Sequence, residues 1–132
     1  MSNYTDPSLW KMLLVDDDED NRQITSTILQ YYNAQVTEAA SGQDALALLQ
    51  RISDFTFILL DIKMEFVSGF NVLDAIRSDG HEELRNIPVI AISALATRAE
   101  QDRIRKADFD GLIVKPYNPL TLVEDIAMLL PG

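Results

Sequence analysis

Five side chains from four distant segments of this chain are of the types that handle phosphate and divalent cations: Asp16, Asp17, Asp61, Ser93 and Lys115. Each follows or closes a short apolar run. Met12-Leu13-Leu14-Val15 runs into Asp16-Asp17, Phe57-Ile58-Leu59-Leu60 into Asp61, Pro88-Val89-Ile90-Ala91-Ile92 into Ser93, and Gly111-Leu112-Ile113-Val114 into Lys115. Clustered carboxylates repel, and one or more takes up a proton unless a cation lies among them. Mg²⁺ suits such a cluster, because it prefers oxygen ligands and binds through one or two carboxylates plus a phosphate. Asp17 and Asp61 are the expected direct ligands, Asp16 acts directly or through water, and the backbone carbonyl of Lys63 completes the set. Asp61 is then placed to be a nucleophile, since carboxylates form acyl-phosphate intermediates. Lys115 would pair with one phosphoryl oxygen and the Ser93 hydroxyl would donate to another. Such a site works by positioning and charge neutralisation, which is most of phosphoryl-transfer catalysis.

These residues meet only if the apolar runs are strands of one sheet that open on one edge. Between the runs, apolar residues recur at helical spacing. They are Ile24, Ile28 and Tyr31 or Tyr32, reaching about Asn33; then Ala45, Leu46, Leu48, Leu49 and Ile52; then Phe70, Leu73 and Ile76, after a loop with Gly69. A weaker helix is expected over roughly Thr97 to Lys106, and Leu122, Val123, Ile126, Leu129 and Leu130 mark the last one. Gln35-Val36-Thr37-Glu38-Ala39 reads as a further strand. Asp18 is an expected N-cap, with Glu19 and Asp20 in the first turn where the helix dipole favours negative charge. The result is five βα units. Strands that are apolar throughout are buried on both faces, which means a parallel sheet covered by helices on each side. Crossover handedness leaves a doubly wound sandwich, whose sites form beyond the carboxyl ends of the strands.

A chain of 132 residues suits a single domain, and 47% hydrophobic with 24% charged residues is a globular composition. The formal net charge of −10 argues against binding to nucleic acid or to an anionic membrane. There is no Cys, so disulfides and thiolate chemistry are excluded. Met1 to Trp10 lacks the pattern of a signal peptide, and no apolar run approaches about 18 residues. A cytoplasmic protein without membrane insertion is the expectation.

The motifs resemble the receiver domains of two-component response regulators. Leu14-Val15-Asp16-Asp17-Asp18, Leu60-Asp61-Ile62-Lys63-Met64 with Gly69 downstream, Ile92-Ser93-Ala94 and Val114-Lys115-Pro116 carry the likeness, in order, at matching strand ends. The resemblance covers about residues 11–130, leaving 1–10 as an N-terminal extension. It implies a flavodoxin-like α/β sandwich of five parallel strands in order 2-1-3-4-5, flanked by five helices. It implies that a sensor histidine kinase or a histidine phosphotransfer protein donates a phosphoryl group to Asp61 with Mg²⁺. It also implies that Asp16 and Asp17 hold the metal, that Ser93 senses the phosphoryl group and that Lys115 contacts it. The response would be a shift of the loop after the fourth strand and of the face formed by the fourth helix, fifth strand and fifth helix. The last helical stripe ends near Leu130, so an output domain for DNA is not expected within the chain, and signalling would pass through a protein target.

Three positions depart from the family pattern. Leu112 stands three residues before Lys115, where the family has an aromatic ring that swings inward. Glu65 replaces a common Pro, and Asp108 replaces a Gly at the end of the fourth helix, being among the residues that best tolerate left-handed backbone. His81, the single histidine, lies in a polar stretch and reads as a solvated loop residue. Arg98, Arg103, Arg105 and Lys106 read as a solvated face. Tyr4 and Trp10 precede the first strand, with Trp10 expected over the sheet edge. Two rival readings are weaker. A Mg²⁺-dependent phosphohydrolase of the haloacid-dehalogenase kind would carry a second Asp two residues after the nucleophile, and Lys63 stands there. A flavodoxin-like cofactor binder would want a Gly- and hydroxyl-rich loop where Asp16-Asp17-Asp18 stands.

Overall fold

The computed structural model describes residues 5–64, 67–94 and 97–131. Tyr4 and Glu65, both singled out above, lie outside the described residues. A parallel sheet is built from β1 (Lys11–Val15), β2 (Gln35–Ala39), β3 (Phe57–Asp61), β4 (Val89–Ser93) and β5 (Gly111–Val114), ordered β2-β1-β3-β4-β5. The helices are α1 (Glu19–Tyr31), α2 (Gly42–Arg51), α3 (Gly69–Arg77), α4 (Glu82–Arg85), α5 (Arg98–Lys106) and α6 (Leu122–Leu129). Five helices were expected, and among the described residues six α-helices are present. The extra one, α4, is a single turn inside the polar stretch after α3. Its one apolar residue, Leu84, is buried, and one residue carries no periodicity.

Side chains alternate across each strand, so each face of the sheet receives its own core. Met12, Leu14, Phe57, Leu59, Ile90 and Ile92 pack with Leu29 of α1 and Ile126 of α6. Leu13, Val15, Ile58, Leu60 and Val89 pack on the other side with Ala45 and Leu49 of α2 and Leu73 and Ile76 of α3. A smaller cluster of Ile62, Phe70, Ala91 and Ile104 ties α5 to the sheet.

The helices start where short polar side chains cap them. Asp18 accepts from the Asn21 amide at 3.1 Å, as expected, and Ser41 and Thr97 accept from the Asp44 and Glu100 amides at 3.0 and 3.1 Å. Ser68 and Asn71 form a reciprocal capping box. After α1, Asn33 takes a left-handed φ of 71°, which Asn tolerates.

Asp108 does not adopt a left-handed conformation. Among the described residues Asn33 alone, apart from glycines, has positive φ, and α5 runs out into extended backbone at Ala107 (φ −79°, ψ 165°). Arg77 organises this junction instead. Its guanidinium donates to the Asp108 carbonyl at 2.9 and 3.1 Å and to the Ile87 carbonyl at 2.5 Å, and pairs with Asp110 Oδ2 at 3.0 Å.

Trp10 lies in the core rather than over an edge. It is fully buried, with its ring edge-on to Phe57 at 5.2 Å between centroids, and its carbonyl accepts from the Gln35 amide at 2.9 Å. Truncating a fully buried large aromatic costs about 3–5 kcal/mol. Trp10→Ala should therefore lower the free energy of unfolding by that amount in urea titration followed by far-ultraviolet circular dichroism. A loss below about 1 kcal/mol would mean that the segment before β1 is not part of the core.

Candidate functional site

The sheet brings the five residues to one edge. Asp16 follows the last residue of β1, and its amide donates to the Ala39 carbonyl at 3.2 Å, which ties it to the end of β2. Its carbonyl accepts from Arg22 Nη1 of α1 at 2.9 Å, while Arg22 Nε pairs with Glu38 at 3.0 Å. Asp61 is the last residue of β3, and Ser93 is the last of β4. Lys115 follows β5, its amide donating to the Ser93 carbonyl at 2.8 Å. The Lys115-Pro116 peptide bond is cis.

Gly69, at the start of α3, presses on the backbone that carries Asp61. A Cβ there would lie 2.6 Å from the Asp61 carbonyl oxygen and 2.8 Å from Ile62 Cα, so only glycine fits. Its amide donates to the Ile62 carbonyl at 2.9 Å.

Asp16 is 1% exposed and Asp61 5% exposed, whereas Asp17 faces solvent. One carboxylate oxygen from each of the three lies within 4.8 Å of the others. Lys115 supplies the opposing charge, its Nζ standing 2.9 Å from Asp61 Oδ2 and 3.4 Å from Asp16 Oδ2. Asp61 Oδ1 accepts from the Lys63 amide at 3.1 Å, and Asp16 Oδ1 from the Asp18 amide at 2.9 Å.

Burial pushes the Asp61 carboxyl up to about 6, and the neighbouring Asp16 adds to that, against the pull of the Lys115 ammonium. Burial lowers Lys115, but its hydrogen bond and charge pairing with Asp61 and then Asp16 outweigh it, leaving the ammonium raised. A carboxylate made costly by burial and like charge gains from a cation. The three oxygens are hard donors with one open side toward solvent at Asp17, which is the donor set that Mg²⁺ takes. The residues therefore fit a divalent cation held by Asp16, Asp17 and Asp61.

Ser93 is 1% exposed, and its Oγ donates to Glu100 Oε1 at 2.6 Å. Glu100 was not anticipated. Three residues after Thr97, it reads in sequence as part of a helix-start pattern, and that reading hides its side chain's turn toward β4. Glu100 Oε2 also lies 3.7 Å from Lys63 Nζ. Two further neighbours were missed, Tyr117 and Thr25, whose hydroxyls are bonded to each other. Burial raises the Tyr117 phenol. Leu112 is half-buried against the Ile62, Phe70 and Ile104 cluster. His81 is exposed and pairs locally with Asp79 at 2.8 Å. Of the basic residues on α5, Arg103 stacks on the Phe70 ring at 3.9 Å and Arg105 pairs with Asp102.

Two clefts flank the cluster. One of about 670 Å³ runs between Lys63, Met64 and Phe70 on one side and Glu100 and Arg103 on the other, reaching Asp17. The second, about 330 Å³, lies between Asn21 and Ile24 of α1 and the segment Lys115, Pro116, Tyr117 and Pro119.

Residues 12–127 match the response regulator receiver domain. The chemotaxis protein CheY-3 of Vibrio cholerae serotype O1 is 37% identical over 119 residues, covering 88% of each chain. The polar-differentiation response regulator DivK of Brucella ovis is 32% identical over 119 residues, covering 90% of this chain and 94% of its own. The crystal structure of CheY4 from Vibrio cholerae superposes with a TM-score of 0.82 at 30% identity, covering 92% of this chain and 98% of the other. The receiver domain of a sensor histidine kinase from Pseudomonas aeruginosa, solved with magnesium in its active-site cleft, shares the fold with a TM-score of 0.80 at 24% identity, covering 91% and 96%.

The raised Asp61 carboxyl has a consequence for stability. Unfolded, an aspartate titrates near 3.9. Folded, it holds its proton until about pH 6. Between these values the native state binds more protons than the unfolded one, so this group's contribution falls as pH rises from about 4 to 6. In Mg²⁺-free buffer, the unfolding free energy of the wild type relative to Asp61→Asn should fall across that window and level off above it. A difference that rises with pH would show that Lys115, not burial, dominates Asp61.

Proposed function

The chain belongs to the response regulator receiver family, and from that premise we propose that it is a phosphoacceptor switch of two-component signalling with Asp61 as the acceptor. The observation that carries this reading is the convergence of Asp16, Asp17, Asp61 and Lys115 from β1, β3 and β5 within one small space. In the transfer, an Asp61 carboxylate oxygen attacks phosphorus, the N–P bond of a donor phosphohistidine breaks, and the pair returns to the imidazole. Asp16, Asp17, Asp61 and the Lys63 carbonyl would hold Mg²⁺, the ion named in the Pseudomonas receiver structure. When bound, it neutralises charge on the phosphoryl oxygens. Lys115 leaves Asp61 Oδ2 for a phosphoryl oxygen, since a group carrying about two negative charges outcompetes one carboxylate. Ser93 donates to another phosphoryl oxygen.

The donor, a sensor histidine kinase or a histidine phosphotransfer protein, has to bring its imidazole to the strand-end edge. The cleft beside Ile24, Pro116 and Pro119 offers an apolar seat there, with Ile24 itself 55% exposed. We assign the receiver fold to residues 11–130, with residues 1–10 as an N-terminal extension whose last residue, Trp10, packs into the core. Output passes through the face of α5, β5 and α6 to a protein target. With a net charge of −10, DNA is not the partner. Among the described residues no helix is long and apolar enough to cross a membrane, and a cytoplasmic site of action is the reading that suits the family. Self-catalysed phosphorylation by small donors and self-dephosphorylation belong to the same site. The phosphohydrolase alternative is disfavoured because Lys63 stands where a general acid is required, with its ammonium 3.7 Å from Glu100.

Incubation with acetyl phosphate or phosphoramidate and Mg²⁺ should add one phosphate by intact-mass spectrometry. The adduct should disappear with chelator and in Asp61→Asn. Labelling that survives Asp61→Asn would place the acceptor elsewhere. Steady phosphate release from many unrelated phosphoesters would instead favour the hydrolase.

A further inference from the structure

Ser93 has one hydroxyl proton and two candidate acceptors for it. In the structure the proton goes to Glu100, with Oγ 2.6 Å from Oε1, and Ser93 is buried so that water does not take a share. Glu100 is held at both ends in the first turn of α5. Its amide donates to Thr97 Oγ1 at 3.1 Å, and its second carboxylate oxygen faces Lys63 Nζ at 3.7 Å. Lys63 lies two residues after Asp61, so the contact closes a ring from the acceptor loop through Glu100 to the end of β4.

A hydroxyl donates a single hydrogen bond. A phosphoryl oxygen on Asp61 needs the proton that Glu100 holds, and both cannot have it. We propose that Glu100 is a positioning residue that competes with the phosphoryl group for the Ser93 hydroxyl. In the unmodified protein it aims that hydroxyl toward α5; on phosphorylation Ser93 turns to the phosphoryl group and the Glu100 carboxylate is released. The state of Asp61 is thereby reported to the first turn of α5 without the aromatic side chain that Leu112 replaces. This inference rests on Asp61 being the phosphoacceptor.

The bond given up is short, part-buried and charge-assisted, the strong kind. It must be broken before Ser93 can serve the phosphoryl group, so Glu100 weakens binding of any phosphoryl mimic. Removing the Glu100 charge would also relieve plain repulsion of an anion nearby, and the experiment has to separate these effects.

The probe is beryllium fluoride with Mg²⁺, which caps a carboxylate with a tetrahedral phosphoryl mimic, and bound fluoride is counted by ¹⁹F nuclear magnetic resonance. Affinity is measured for wild type, Glu100→Ala, Glu100→Gln, Ser93→Ala and the Ser93→Ala/Glu100→Ala double variant. Glu100→Ala should bind roughly three- to tenfold more tightly, the range set by one hydrogen bond to a charged group less what Ser93 regains from other partners. In the Ser93→Ala background that gain should shrink below about twofold, because the contested proton is gone. Glu100→Gln keeps an acceptor without the charge and should fall between wild type and Glu100→Ala. Glu100→Ala retains the amide that Thr97 caps, so it should melt within a few degrees of wild type. A Glu100→Ala affinity no tighter than wild type overturns the proposal. So does a gain that persists undiminished without Ser93, or a Glu100→Gln variant that equals Glu100→Ala, since either outcome is bulk repulsion. A folded wild type with no Asp61-dependent fluoride signal overturns the phosphoacceptor reading itself, whatever Glu100 does.

Discussion

Three carboxylates, two of them buried, crowd at one end of a parallel sheet and repel one another, and the local structure is arranged around that repulsion. At an effective dielectric near 20, two like charges 4 Å apart cost about 4 kcal/mol. Lys115 is the protein's own answer, and its reach is set by the strand order. It extends from β5, which is separated from β3 by β4. Neighbouring strands lie about 4.8 Å apart, so two spacings, close to 10 Å, separate β5 from the strand carrying Asp61, and a third separates it from β1, which Asp16 follows. It must pass over the end of β4, and the residue standing there is the small Ser93. The length of lysine is thus matched to this strand order.

The rest of the molecule holds the edge still. The strands carrying Asp61 and Ser93 are buried along their whole length, so neither can slide without opening both cores. Helix α3 abuts the Asp61 carbonyl through Gly69, and α1 grips the Asp16 carbonyl through Arg22. At the opposite edge, Arg77 gathers the carbonyls of Ile87 and Asp108 with the Asp110 carboxylate, which also accepts from the Val89 amide at 2.8 Å. That network fixes where β4 and β5 begin. Where they end, at Ser93 and at Val114 just before Lys115, then follows from strand length alone.

The sequence was most legible where a physical signal is local. Apolar runs that stop at a polar or charged residue mark a strand and where it ends, which is why β1, β3, β4 and β5, and the meeting of Asp16, Asp17, Asp61, Ser93 and Lys115 at one edge of the sheet, could be read directly. The family resemblance supplied the strand order, which no local pattern encodes. What escaped is what depends on geometry between segments. One buried leucine in a polar stretch gave no hint of α4. Trp10 sits before a strand, and nothing local distinguishes a core anchor from an edge cover. Asp108 looked like a helix-ending residue because Gly is usual there, yet the chain leaves α5 extended and Arg77, thirty-one residues away, takes its carbonyl. Glu100 was masked by an ordinary helix-start pattern, although its carboxylate serves a strand end.

The polar donors at this edge are fewer than the acceptors that could use them, and on the proposed reading this scarcity would give the site two states. Lys115 bonds Asp61 while Asp61 is bare, and Ser93 bonds Glu100. On the proposed reading, a phosphoryl group on Asp61 presents stronger acceptors to both donors at once. The strands are too well packed to follow, so any adjustment falls on what the donors leave behind. The Asp61 carboxyl that Lys115 leaves is then an acyl phosphate, whose own carbonyl carries no charge, and the ammonium keeps Asp16 as its second neighbour. Ser93 leaves Glu100, a charged group 17% exposed at the start of a helix that meets the core through few buried side chains. On the same reading the asymmetry favours α5 over the sheet as the responding element, because β4 is buried along its whole length whereas α5 buries Ile104 alone.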